Sequence, residues 1–162
     1  MVTPDPASLA PLSDDGAMGL ALSEATGALA HGDVPVGAVT LVDGRVVAAR
    51  HNERHRLGDP TAHAEILALR AASRIVGNYR LTGLELFVTL EPCAMCAGAI
   101  SHARVARLIF GAHDEKGGAV LHGPRFFDQP TCHWRPAVSG GLLGDESAAL
   151  LQGFFRQRRI KR

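Results

Sequence analysis

The hydrophobic pattern changes period several times along the chain, and each change marks an expected element. Ser13 or Asp14 caps a first helix reaching about Ala30, which Gly32-Asp33 ends. Residues 34–42 form a largely apolar run despite Pro35, whose missing N–H belongs at a strand start or on an edge. Asp43-Gly44 is a strong hairpin turn into a second strand over 45–49, followed by a polar loop over 51–58. Asp59-Pro60-Thr61 reads as a helix start, since Asp and Thr cap well and Pro is tolerated in a first turn. The helix then runs over 62–76, with Ile66, Leu69, Ser73 and Val76 near one face and Leu67 and Arg70 beside it. Residues 84–90 (LELFVTL) alternate and are rich in strand formers. Pro92 then opens a second such helix through Cys93, Cys96, Ala97, Ala99 and Ile100. Another apolar strand spans 105–110, and 122–136 is irregular and aromatic. A closing amphipathic helix over 145–159 places Leu150, Leu151, Phe154 and Phe155 on adjoining faces. Gly117-Gly118 and Gly140-Gly141 mark turns without the setting of a phosphate loop. There is no internal repeat. The alternation predicts one α/β sheet covered by helices.

Composition narrows the class. A chain of 162 residues suffices for one domain with a substantial core. Residues 1–12, rich in Pro, Ala and Ser, are expected to be a disordered lead, and 13–162 the single domain. Hydrophobic residues at 46% against 20% charged indicate a globular protein. A formal net charge of +1 supplies no global field for nucleic acid. No apolar run reaches the length of a membrane span, and the start lacks the form of a secretory signal. Three cysteines do not make a disulfide framework, so a reducing cytoplasm is expected. The last seven residues hold five cations, Arg156, Arg158, Arg159, Lys161 and Arg162, and no acid. They either cap the helix dipole as a solvated end or hold phosphates.

The chemistry gathers at two helix starts. His63-Ala64-Glu65 opens one, and Pro92-Cys93-Ala94-Met95-Cys96 opens the other about thirty residues later. One imidazole and two thiols make a three-ligand zinc site. Structural zinc takes four protein ligands, whereas catalytic zinc keeps three and leaves a place for water. Glu65 is then free to act as a base on that water. Cys93 and Cys96 are three apart, so their sulfurs lie side by side at the positive end of the helix, which favours thiolate. His63 and Glu65 are two apart and serve one site only at the helix tip. Two other readings stay open here. A lone C-x-x-C is also a redox pair, but that leaves His63 and Glu65 unexplained. A closed structural zinc needs a fourth ligand, and His102, His113, His122, His133 and Cys132 are all available. Cys132 itself reads as a buried free thiol.

H-x-E followed by P-C-x-x-C is the signature of the zinc nucleobase deaminases. Around it, from about Gly19 to Arg159, the chain resembles the bacterial tRNA adenosine deaminases of the cytidine-deaminase superfamily. The blocks that carry the resemblance are Asp33 to Val39 (DVPVGAV), Asn52, Asp59 to Glu65 (DPTAHAE), Asn78 to Leu81 (NYRL), Thr89 to Ala99 (TLEPCAMCAGA) and Phe154 to Arg159 (FFRQRR). The resemblance implies a cytidine-deaminase-like three-layer α/β/α fold, with a central five-stranded mixed sheet covered by helices, and a homodimer. It implies hydrolytic conversion of adenosine to inosine at the tRNA wobble position. His63, Cys93 and Cys96 would hold Zn2+, and Glu65 would carry protons while a zinc-activated water attacks adenine C6. Asn52 would hydrogen-bond the nucleoside, and Val34 and Ala64 would line the base pocket. Asp114 would touch the anticodon-loop backbone, with Phe154, Phe155 and Arg158 on the helix beside the loop. The base has to be splayed from a single-stranded loop to expose C6.

The chain departs from the family's usual form at Glu53 to Arg56, Gly117 to Pro124 and Cys132 to Arg135, all next to the expected substrate. Two rival functions remain: a deaminase of a free base or nucleoside, of cytidine or guanine type, and a non-catalytic zinc module that binds RNA. The basic tail and Asp114 speak against the first, and an intact Glu65 against the second.

Overall fold

The computed structural model describes residues 10–161. Five strands form one mixed sheet in the order β2-β1-β3-β4-β5: β1 Gly37–Val42, β2 Arg45–His51, β3 Glu85–Leu90, β4 Arg107–Ala112 and β5 Ala137–Gly140. The β1 strand is antiparallel to both β2 and β3, while β3, β4 and β5 run parallel. The helices are α1 Asp14–Ala28, α2 Arg54–Leu57, α3 Ala64–Val76, α4 Ala94–His102 and α5 Gly144–Ile160.

Alternation along the strands builds two cores. On β3 and β4, Leu86, Val88, Leu108 and Phe110 face α3 and α4, joining Ala68, Ala72, Ala97 and Ile100. Phe87 and Ile109 point the other way, to Ala17, Met18 and Ala21 of α1. Each such large side chain contributes about 1.5–3 kcal/mol by leaving water. The result is the expected three-layer arrangement.

The boundaries follow local chemistry. The Ser13 hydroxyl accepts from the Gly16 N–H at 3.0 Å and starts α1. A short 3-10 turn, Leu29–His31, carries the helix to Gly32, whose φ of 68° ends it. Gly37 admits no side chain, because a Cβ there would sit 1.9 Å from the Ala21 carbonyl oxygen of α1. Asp43 and Gly44 both have positive φ, as a two-residue hairpin turn requires.

Some expectations need correction. The strand expected over 34–42 begins at Gly37, because Val34 to Val36 form a tight turn, with the Val36 N–H on the Val34 carbonyl at 2.8 Å. Pro35 therefore precedes the strand, and β1 is interior rather than an edge. The expected polar loop over 51–58 contains α2. The region 122–136 holds a 3-10 turn, Phe126–Asp128, and β5 follows it as a strand that the apolar pattern did not reveal. Of the lead expected to be disordered over 1–12, residues 1–9 lie outside the described residues. Leu12 is held by its N–H to the Gly44 carbonyl at 3.0 Å. On α4, Ala97 is fully buried in the core, while Gly98 and Ala99 are half-buried.

Candidate active site

Both ligand-bearing helices start one residue after a metal-ligand candidate. The expected cap, Asp59, instead closes a turn before the helix, its carboxylate accepting from the Thr61 N–H at 2.8 Å and the Thr61 hydroxyl at 2.7 Å. His63 is the true N-cap of α3 and Cys93 that of α4, both in extended backbone. Neither side chain makes an N-capping hydrogen bond. Both are left to point across the gap between the helices, and they point at each other. The His63 Nδ1 lies 3.7 Å from the Cys93 Sγ and 3.5 Å from the Cys96 Sγ. Tetrahedral zinc with ordinary bond lengths puts such N and S atoms about 3.6 Å apart.

The three donors form a closed group among the described residues, and no fourth joins them. His102, His133 and Cys132 lie elsewhere. Cys132 is buried, with its thiol on the Trp134 carbonyl at 3.1 Å. His113 and His122 cluster instead with Glu91. Three ligands from two helix tips fit a catalytic zinc and not a closed structural one. The hydrogen bond from Cys96 holds the Cys93 thiol down to about 4, and the same bond pushes Cys96 far up. The Cys93 hydrogen bond also raises His63. Glu65 is buried and is not one of the three grouped donors, although its carboxyl shares a hydrogen bond with the Cys96 thiol; burial pushes that carboxyl above the ordinary range.

Beside this centre is a cleft of about 180 Å³, whose walls include Val34, Asn52, His63, Glu65, Cys93 and Asp114. Asn52 ties the cleft together. Its side-chain N–H donates to the Val34 carbonyl at 3.0 Å, and its oxygen accepts from the Ala64 N–H at 2.8 Å. Ala64 was expected on the pocket wall, but its side chain is buried in the core and it reaches the site through that N–H. Asp114 turns its own loop, accepting from the Gly117 N–H at 2.9 Å. A wider groove shares Val34, Leu90, Asp114 and Gly117 with the cleft and continues to Phe155 on α5. Phe154 and Arg158 do not face this groove. Arg158 lies over the Phe154 ring at 5.2 Å, and both line a separate hollow with Leu29 and Gly32.

Two residues with no assigned role from sequence prove structurally central. Asp33 is fully buried, accepting from the Arg54 guanidinium at 3.0 and 3.1 Å and from the His55 N–H at 3.1 Å, which fixes α2. Burial opposes its ionisation, but those hydrogen bonds outweigh it and hold its carboxyl low. Glu91 is also buried and held low in spite of burial, by His122 and backbone N–H groups. The only sequence signal for either was a carboxylate inside an otherwise apolar stretch.

Fold and site together define a zinc-dependent deaminase. Residues 12–112 match the family model described as the cytidine and deoxycytidylate deaminase zinc-binding region. The tRNA-specific adenosine deaminase of Agrobacterium fabrum is 54% identical over 143 residues, covering 88% of this chain and 94% of that protein. That of Haemophilus influenzae is 46% identical, covering 90% and 85%. A structure from a study of A-to-I editing by tRNA:A34 deaminases at the wobble position superposes with a TM-score of 0.82 at 55% identity, covering 83% of this chain and 98% of its own. The guanine deaminase of Nitrosomonas europaea superposes with a TM-score of 0.77 at 25% identity, covering 90% and 86%. The chain belongs to the cytidine and deoxycytidylate deaminase family, and over nearly its whole length it is similar to that family's tRNA-specific adenosine deaminases.

Proposed function

We propose that this protein converts adenosine to inosine at the wobble position of tRNA, taking the base from the anticodon loop. The observation that carries the proposal is the continuity of the one-base cleft with the groove along α5. A free base fills the cleft alone, whereas a nucleotide within an RNA loop has neighbours that need the groove.

His63, Cys93 and Cys96 hold the zinc. When bound, zinc supplies the Lewis acidity that makes water nucleophilic near neutral pH. Glu65 takes a proton from the attacking water, delivers it to the adenine ring nitrogen, and then assists departure of ammonia. Water adds at C6, the C6–N bond breaks, and inosine and ammonia result. Asn52 orients the nucleoside through the part of its amide left free by Val34 and Ala64, and Val34 packs on the base. Asp114 and Phe155 meet the flanking loop, while Phe154 and Arg158 sit further along α5.

The protein acts as a homodimer in the cytoplasm, where its free thiols suit a reducing milieu. The dimer face runs along α3 and α4, where a groove lined by Ile66, Leu69, Tyr79 and Ala99 adjoins exposed Ile75 and Val76. Sedimentation at micromolar concentration should give twice the 17.1 kDa chain mass. No helix among the described residues is long and apolar enough to cross a membrane.

The rival favoured by the smallness of the cleft is a guanine-type deaminase of free bases. Incubation with total tRNA, with inosine mapped by sequencing, separates the two. Inosine at the first anticodon position supports the proposal. Ammonia release from guanine or cytidine with unchanged tRNA overturns it.

A further inference from the structure

Part of the cleft wall comes from a loop, 113–122, that has no regular secondary structure. Asp114 turns its first half, and one side chain from outside the loop gathers both of its ends. The Glu91 Oε2 accepts from three successive backbone N–H groups, those of Val120, Leu121 and His122, at 3.2, 3.0 and 3.1 Å. The Oε1 accepts from the Asp114 N–H at 3.2 Å and from the His122 Nδ1 at 2.7 Å. Consecutive amides curled round an anion make a nest, and here the anion is built into the chain. The packing is tight: a Cβ on Gly118 would lie 2.6 Å from the Glu91 carboxyl. The His122 ring stands edge-on to the His113 ring, 5.5 Å between centres, and His113 stands edge-on to Phe110 of β4.

We infer that Glu91, with His122, is a positioning residue for the substrate: it folds the 113–122 loop into the cleft wall and sets where Asp114 and Gly117 stand. The inference rests on the substrate reading above. Glu91 sits two residues before the ligand Cys93, at the end of β3. One short stretch therefore fixes the metal on one side and the substrate wall on the other. A carboxylate is required because every partner is a donor. Glu91→Gln keeps the shape but turns an N–H towards N–H groups, so the nest opens.

The test is steady-state deamination of an anticodon stem-loop by wild type, Glu91→Gln and His122→Ala, with zinc content and thermal midpoint measured on the same preparations. The expected result for Glu91→Gln is a KM raised at least about tenfold, the scale set by removing one well-made charged hydrogen bond, with zinc content unchanged and kcat within about threefold. His122→Ala, which removes one donor from a half-buried position, should raise KM about threefold and stands in if Glu91→Gln does not fold. A lowered thermal midpoint with unmoved KM would make Glu91 a purely structural residue and overturn the inference. So would a kcat loss as large as the KM rise, or loss of zinc, since either places Glu91 in the chemistry. Wild-type protein that holds zinc yet leaves the stem-loop unchanged counts against the proposed substrate instead. Glu91 is then judged by the same KM and kcat comparison on whichever free nucleoside or base is turned over.

Discussion

The two sides of the cleft are built by different means. The metal side consists of two helix tips backed by the main core, with Ala97 and Ile100 of α4 and Ala68 and Ala72 of α3 fully buried on the helices that carry the candidate ligands. The substrate side consists of the 113–122 loop, in which only 118–120 are buried, and of α5, in which Ser147 alone is buried. The match to the family model ends at Ala112, where that second side begins. A fixed chemical centre needs sub-ångström rigidity, and packed helix tips supply it. A surface that must admit an RNA loop needs exposed groups, and loops held by a few hydrogen bonds supply those. Asn52 joins the two, gripping the α3 tip with its oxygen and Val34 on the cleft lip with its nitrogen.

The comparison breaks most easily on the metal side. Cys93→Ala or Cys96→Ala should drop zinc from about one per chain to near zero. Deamination should fall below detection and the thermal midpoint should drop, as metal analysis, ammonia release and calorimetry would reveal. A metal-free but active variant would end the division of labour drawn here.

Asn52→Ala tests the join. It leaves the Ala64 N–H and the Val34 carbonyl without their partner, at a cost of about 1–3 kcal/mol, and should also raise KM. Denaturant unfolding with intact stability would confine Asn52 to touching substrate.

Asp33 sharpens the picture on the lip side, through pH. Its folded-state carboxyl lies below its ordinary value of about 3.9, so its contribution is present above that value and is lost as pH falls through the folded one. Asp33→Asn should cost about 1–3 kcal/mol at pH 7, with the gap to wild type closing below about pH 4. A gap that is flat with pH would mean that the Arg54 and His55 bonds do not depend on its charge.

The smallest effect belongs to the tail of α5. Arg158→Ala with Arg159→Ala should weaken stem-loop binding and flatten its salt dependence by about 0.7 in slope for each phosphate no longer neutralised. Arg158 lies away from the groove that holds Phe155, so turnover of bound substrate should stay unchanged. Identical slopes would assign the basic cluster to solvated helix capping.

The same contrast explains what the sequence revealed. The convergence of His63, Glu65, Cys93 and Cys96 was legible because short spacings at two helix starts already put them near one point. Five strands followed from the family resemblance, but β5 was invisible to the apolar pattern: Ala137 to Gly140 is short and mostly exposed, and it exists by pairing with β4. Glu91 was passed over because its partners lie 23 to 31 residues further on, in a loop without periodicity. Phe154, Phe155 and Arg158 were expected on the helix beside the loop, and they divide between two hollows because α5 presents its sides to different neighbours.

The central claim is that three side chains hold the metal and a fourth, unligated one carries the protons. Glu65→Ala measures it most directly, with zinc content and deamination of an anticodon stem-loop determined on one preparation. The variant should retain about one zinc per chain and lose at least about a hundredfold in kcat, the usual worth of a positioned acid-base group. Zinc lost along with activity would make Glu65 a ligand, and near-wild-type turnover would remove it from the chemistry; either result contradicts the account.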